Sequence, residues 1–204
     1  MPLTVLQRRF MMYGWAGNIL HVDLTARTAS ALETSSYADL FIGGLGIAEK
    51  LYWDMAPAGV DAFHPDNPLL FMTGPLAATP VPSAPRLVVC GKSPCIFPET
   101  FVSANMGGFF APELKKAGFD GMVVTGRADR PVRIHITGGG ADILDAGRLW
   151  GMTNGQTRAA LQEEYGRRIR RMSIGPAGEN RTRIGIIFTD AGSSGSLGFG
   201  SVMG

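Results

Sequence analysis

The sequence predicts an α+β domain, and three observations carry the prediction. Segments rich in Val, Ile and Leu outnumber helical patterns and do not alternate with them in the regular order of a doubly wound sheet. Of the 204 residues, 45% are hydrophobic and 18% charged. That balance excludes intrinsic disorder, and a chain of this length buries about 70% of its unfolded surface, enough for one large or two small domains. The 28 glycines fall in short clusters without the three-residue period of collagen, so particular turns demand backbone geometry that other residues resist. No fixed-period repeat is present.

Residues 1–11 read as a leader that lacks the continuous apolar core of a secretory signal, with Met11 or Met12 as alternative starts. A single domain is expected over residues 12–204. From Gly17 to Leu24, Leu20, Val22 and Leu24 alternate with His21 and Asp23, the pattern of a half-buried strand. Ser35 or Ser36 can cap a helix carrying Tyr37, Leu40 and Phe41. Gly43, Gly44 and Gly46 interrupt that helix before a helical pattern resumes from Ile47 to Met55. Pro65 to Pro85 holds six prolines around the apolar run Leu69 to Met72, so a buried strand should feed an irregular loop.

Arg86 to Cys90 reads as a short buried strand and Pro98 to Met106 as a loop. Pro112 to Ala117 reads as a short helix closed by Gly118. Asp120 to Thr125 and Val132 to Thr137 are expected as strands, paired as a hairpin or close neighbours across the turn Gly126 to Arg130. Thr153 or Asn154 opens a helix that Gly166 closes. Ile169 to Ile174 and Ile184 to Phe188 read as strands flanking the turn Gly175 to Asn180. The chain then runs into a glycine-rich stretch from Ala191 to Gly204.

Composition limits the chemistry. A net charge of +2, from 19 basic and 17 acidic residues, gives no basic face for nucleic acid. Every apolar stretch is broken by Pro or Gly well short of the roughly 20 residues that cross a bilayer, so no membrane partner is expected. Cys90 and Cys95 cannot build a disulfide framework or a four-thiolate cluster, and two reduced cysteines suit a cytoplasmic protein. His21, His64 and His135 lack the spacing of a metal site. No nucleophile with its base and orienting group can be named, and Ser193, Ser194 and Ser196 have no evident base.

Two glycine loops invite an anion. Ser103 to Gly108 runs into the helix that contains Glu113 and Leu114, and free N–H groups at a helix start favour a phosphate. Gly192 to Gly200, reading GSSGSLGFG, is the second, although it lacks the strand, loop, helix and distant acid that a dinucleotide fold needs. Arg86 stands directly after the proline-rich loop, where its fork could hold a phosphate or form a surface ion pair.

The linear order of several blocks is more specific than any of these. MYGWAGNILHVDLT (Met12 to Thr25), NPLLFMTGPLAAT (Asn67 to Thr79), KSP (Lys92 to Pro94) and ANMGGFFAPELKKAGFDGMVVTGRADRPV (Ala104 to Val132) are followed by DAGRLWG (Asp145 to Gly151), IGPAGEN (Ile174 to Asn180) and the terminal GFGSVMG. Together they resemble the N-terminal domain of the aldehyde ferredoxin oxidoreductase family.

The resemblance implies an α+β domain of two β-sheets with outer helices that holds a tungsten or molybdenum bis-pterin cofactor. By position, Arg86 matches the arginine that meets a pterin phosphate, and Gly107 a backbone N–H contact. Gly108, Ser193, Ser194 and Gly195 would complete the cofactor-binding loops. Asn105 matches a backbone carbonyl that holds the magnesium bridging the two phosphates. The opposing carbonyl would come from Ser193 or Ser194, and Ser193 is assigned here.

The same resemblance implies a complete enzyme that oxidises an aldehyde to a carboxylic acid and passes electrons through a [4Fe–4S] cluster to ferredoxin. The cluster and substrate pocket would lie in later helical domains or a partner subunit, so this chain alone would not be catalytic. Two departures stand out. Leu45 occupies a hinge position where the family usually has arginine, and GSSGSLG replaces an arginine-rich loop. Both suit the alternative of a non-catalytic scaffold or interaction subunit that keeps the fold without the cofactor.

Overall fold

The structure, a computed structural model, describes residues 14–190 and 192–204; the expected leader at 1–11 lies outside the described residues. In chain order the elements are β1 (Asn18–Asp23), β2 (Thr28–Glu33), α1 (Ser35–Phe41), α2 (Leu45–Met55), β3 (Leu69–Thr73), β4 (Leu87–Lys92) and β5 (Phe101–Met106). There follow α3 (Phe110–Lys116), β6 (Phe119–Thr125), β7 (Val132–Thr137), β8 (Gly140–Asp145), a 3₁₀ turn at Gly147–Leu149 and α4 (Asn154–Tyr165). The last third closes with β9 (Met172–Ser173), α5 (Pro176–Glu179), β10 (Ile187–Thr189), β11 (Ser194–Gly195) and α6 (Phe199–Met203).

The α+β class is as expected, but the strands divide among three sheets instead of two. The main sheet has six strands in the order β2-β1-β6-β3-β4-β5, β10 lies between β11 and β9 in a second sheet, and β7 and β8 form a separate ribbon. Within the main sheet only β1 and β6 run parallel. Thus β6 is a central strand, and its expected pairing with β7 is corrected: β7 turns at Gly138 and Gly139 and pairs with β8.

The run Leu69-Leu70-Phe71-Met72 shows why a continuous apolar stretch makes a central strand. Alternate side chains leave opposite faces of the sheet. Leu69 and Phe71 join the core beneath α3, β10 and α6, whereas Leu70 and Met72 join Ile47, Ala48 and Leu51 of α2 on the other face. The prolines that follow keep the chain irregular until Arg86. Cys90, fully buried in the α2 face, has its thiol pushed up to about 12 by burial, with Glu49 adding to the effect. Iodoacetamide at about pH 8.5, near an ordinary thiol pKa, should therefore alkylate exposed Cys95 in the folded chain and reach Cys90 only after denaturation, as read by mass spectrometry.

Where the sequence expected a loop from Pro98 to Met106, Phe101–Met106 is an edge strand on β4. Thr28–Glu33 and Gly140–Asp145 also form strands the pattern did not reveal. All three carry at most two fully buried residues, so no face imposes a strong apolar period. The turn expected at Gly175 to Asn180 holds the short helix α5. By contrast α4 begins where expected: Thr153 and Gln156 form a reciprocal capping box, which satisfies two of the orphan N–H groups of the first turn.

Candidate functional site

Strand pairing collects distant segments at one end of the main sheet. Thr73 lies opposite Leu87, and Leu87 opposite Met106, so the C-terminal ends of β3 and β5 meet the start of β4. Gly74, Arg86 and Gly107 extend from these strand ends. The glycine hinge between α1 and α2 packs on the same end, where Gly44 N–H donates to the Thr73 carbonyl at 2.9 Å. A side chain at Gly43 would come within 3.1 Å of Pro75.

Arg86, Gly107 and Ser193, three of the residues singled out from sequence, converge here. Gly107 N–H donates to Ser193 Oγ at 2.8 Å. A Cβ placed on Gly107 would sit 3.4 Å from Ser193 Oγ and 3.9 Å from Arg86 Nη1. Glycine at 107 therefore leaves open the space in front of the guanidinium. Arg86 is exposed, and among the described residues no carboxylate lies within salt-bridge distance of it.

Gly195 lets β11 lie on the β4–β5 pair: a Cβ there would meet Met106 Sδ at 2.8 Å and Val89 Cγ1 at 2.9 Å. Gly108, with φ of +102°, turns the chain from β5 towards α3. Asn105 is exposed on β5 and Ser194 half-buried on β11. The Ser193 carbonyl already accepts from Thr189 N–H at 2.8 Å and from Thr189 Oγ1 at 3.1 Å. Those bonds use the two lone pairs of a carbonyl oxygen.

Other candidates sit elsewhere. His21 Nε2 meets Thr125 Oγ1 at 2.9 Å, His64 Nδ1 accepts from Asp66 N–H, and His135 packs on Tyr165. Among the described residues no group of three or more His, Cys, Asp or Glu side chains is placed to hold a metal ion. Leu45, at the first position of α2, is 38% exposed and joins Leu40, Ile42, Leu76 and Val81 among the exposed apolar side chains. Ile42 also caps Trp15, whose indole N–H donates to its carbonyl at 2.8 Å.

A buried network that sequence reasoning missed braces this end. Asp120, on β6, is 1% exposed and accepts from Ala16 N–H, Gly17 N–H, Thr34 Oγ1 and Lys115 Nζ at 2.6–2.8 Å. Its partners are up to 104 positions away, so no local pattern could have announced it.

The fold and site define a mixed-sheet α+β domain with a glycine-lined, arginine-bearing end. The family model described as "Aldehyde ferredoxin oxidoreductase, N-terminal domain" matches residues 19–204, and the chain belongs to that family. It is 38% identical over 197 residues to the tungsten-containing aldehyde ferredoxin oxidoreductase of Pyrococcus abyssi, covering 95% of this chain and 32% of the relative. An aliphatic sulfonate oxidoreductase, WOR-like subunit, of Pyrococcus furiosus is 31% identical, with 95% of this chain and 33% of the relative covered.

Among solved structures, the active-site complex BamBC of benzoyl coenzyme A reductase, with 1,5-dienoyl-CoA, superposes with a TM-score of 0.89 at 35% identity. That match covers 94% of this chain and 29% of the other. The chain thus spans about a third of the length of the curated relatives it matches. Among the described residues no helix is long and apolar enough to cross a membrane.

Proposed function

We propose that this chain is the cofactor-holding part of a tungsten- or molybdenum-dependent aldehyde oxidoreductase of the cytoplasm. The observation that carries the reading is the convergence of Arg86, Gly107 and Ser193 from three separate segments. The residues fit an anionic pterin phosphate: an exposed guanidinium free of carboxylates among the described residues faces a gap that any side chain at 107 would narrow. Arg86 would hold a phosphate through its planar fork. Gly107 and Gly108 would let the backbone approach, and Gly195 would keep β11 and its serines close.

A magnesium ion beside the pterin phosphates would take oxygen ligands. Asn105 would offer one carbonyl. With the Ser193 carbonyl engaged by Thr189, Ser194 is the better of the two serines for the other. When bound, the metal–pterin would supply the two-electron oxidation of an aldehyde to a carboxylic acid, with a [4Fe–4S] cluster and ferredoxin as electron carriers outside this chain. The chain's own contribution is to bind and orient. Its exposed apolar residues near the hinge would seat the further domains or subunit that such an enzyme requires.

The test is to produce the chain with its genomic neighbours and measure tungsten, molybdenum and pterin in the purified complex. Arg86→Gln should lower pterin retention about 10- to 100-fold, the scale of a lost charge-assisted hydrogen bond of about 1.5–3 kcal/mol. A complex devoid of metal and pterin would return the chain to the scaffold reading that Leu45 and the serine loop suit.

A further inference from the structure

The main sheet and the β7–β8 ribbon do not close fully on one another. Between them, with α4 and β9 completing the wall, lies an open cavity of about 1330 Å³. It exceeds the usual few hundred to about 1,000 Å³ of a small-molecule site. Phe71, Met122 and Val124 line it from the sheet, and Ile134 and Ile136 from the ribbon. None of Arg86, Asn105, Gly107 or Ser193 lines it, so it is separate from the end of the sheet described above.

Arg171, just before β9, also lines this cavity and is only 8% exposed. Its partners are neutral. Nη1 donates to Ser173 Oγ and Nη2 to the Asn154 carbonyl at 3.2 Å, while Nε has no partner. Among the described residues no carboxylate reaches salt-bridge distance. Asp190 is taken by Arg170 at 3.0 Å, and Glu164 by Arg133 and Arg148. Burial, then the neighbouring Arg158, pull the Arg171 pKa below the usual arginine value, against Asp190, which raises it.

A buried cation without an anion is costly, and the fold has left one beside a cavity whose sheet and ribbon walls are apolar and whose remaining lining is mixed, with Arg130, Arg168 and Glu179 among it. Nε is itself sealed from the cavity, but Nη1 and Nη2 each spend one of two N–H groups on the protein, and the two that remain form a fork that matches a planar carboxylate. We propose that this cavity binds an amphipathic organic carboxylate, its apolar body against Phe71, Met122, Val124, Ile134 and Ile136 and its carboxylate on Arg171. The apolar walls demand the hydrocarbon body, and the arginine demands the charge. Neither a neutral alcohol nor a bare inorganic anion satisfies both.

Titration calorimetry on the full 204-residue chain tests this with octanoate, octan-1-ol and inorganic phosphate as probes. Octanoate should bind once per chain, more tightly than either of the others. Arg171→Met, which keeps the apolar stem, should weaken octanoate about tenfold or more, the scale of a lost charge-assisted hydrogen bond, and leave octan-1-ol nearly unchanged. Ile136→Glu leaves Arg171 in place, sets a like charge against the ligand carboxylate on the apolar wall and should weaken octanoate about tenfold or more. The proposal is overturned by no octanoate binding, by phosphate or octan-1-ol binding as tightly, or by octanoate affinity unchanged in Arg171→Met. Should Arg171→Met fail to fold by circular dichroism, Ile136→Glu decides: unchanged octanoate affinity overturns the proposal, and weakened binding supports it.

Discussion

Asp120→Ala should destabilise the domain by about 3–5 kcal/mol, the range for breaking a buried ion pair by removing one partner. The carboxylate gathers four donors in a site where neither charged side chain is more than 7% exposed. Its removal leaves the Lys115 ammonium buried, with the Gly14 carbonyl at 2.5 Å as its remaining acceptor. The Ala16 and Gly17 amides and the Thr34 hydroxyl lose their acceptor as well. Against a total stability of about 5–15 kcal/mol for a typical domain, such a loss brings the chain close to unfolding.

Urea denaturation provides the readout, as a lower midpoint at unchanged slope. Adding Lys115→Met to Asp120→Ala should recover part of the loss, because the orphaned charge disappears with its partner. A purely additive double variant would show that the two side chains do not act as a pair.

The second large effect is expected at Gly200. A Cβ there would lie 2.4 Å from the Ile186 carbonyl oxygen, 2.5 Å from its carbon and 2.6 Å from the Ile186 nitrogen. All three are backbone atoms, which cannot rotate away as a side-chain tip can. Gly178 and Gly185 belong to the same close approach: a Cβ on Gly178 would meet the Gly200 carbonyl at 2.6 Å, and one on Gly185 would meet Ser201 Oγ at 2.3 Å.

Gly200→Ala must therefore lift α6 from the segment before β10. It should cost about 3 kcal/mol or more, the upper end for overpacking a filled core. Gly155→Ala is the matched control. Gly155 is exposed in α4 with nothing closer than 4.0 Å to its added Cβ, so alanine there should stabilise by about 0.5–1 kcal/mol. Thermal melts of the two variants should move in opposite directions.

These glycines revise how the glycine surplus is understood. Clusters near Gly107 and Gly195 do meet at the candidate site, as the sequence suggested. Gly178, Gly185 and Gly200 instead serve contact between backbone segments far apart in the chain, which no turn signal marks. What was legible follows from local physics. The run Leu69 to Met72 is apolar on both faces because both faces are covered, and Thr153 with Gln156 caps α4 within four residues.

The strands β2, β5 and β8 escaped because an edge or an isolated ribbon buries too little of either face to impose a period of two. At the site, Arg86 and the Ser103–Gly108 loop stood out by local chemistry, whereas the separate roles of Arg86, Asn105 and Gly107 came only from family resemblance, because their convergence depends on the β4–β5 register. The hydrogen bonds that commit the Ser193 carbonyl come from Thr189 and became visible only once β10 and β11 were paired.

The placement of β6 sets a condition on how the chain reaches this state. In the main sheet, the β1–β2 hairpin and the β3–β4–β5 meander share no ladder; β6, the last of the six to be made, joins them by inserting between β1 and β3. At ribosomal speeds of about 5–20 residues per second, the 104 positions from Ala16 to Asp120 take about 5–20 s to synthesise. From the completion of β5 at Met106 until β6 is available, the nascent chain carries two half-sheets, each with an unpaired inner edge open to pairing with other chains. Termination before Phe119 would yield two halves without the strand that joins them, so productive folding of the main sheet awaits emergence of β6 from the ribosome.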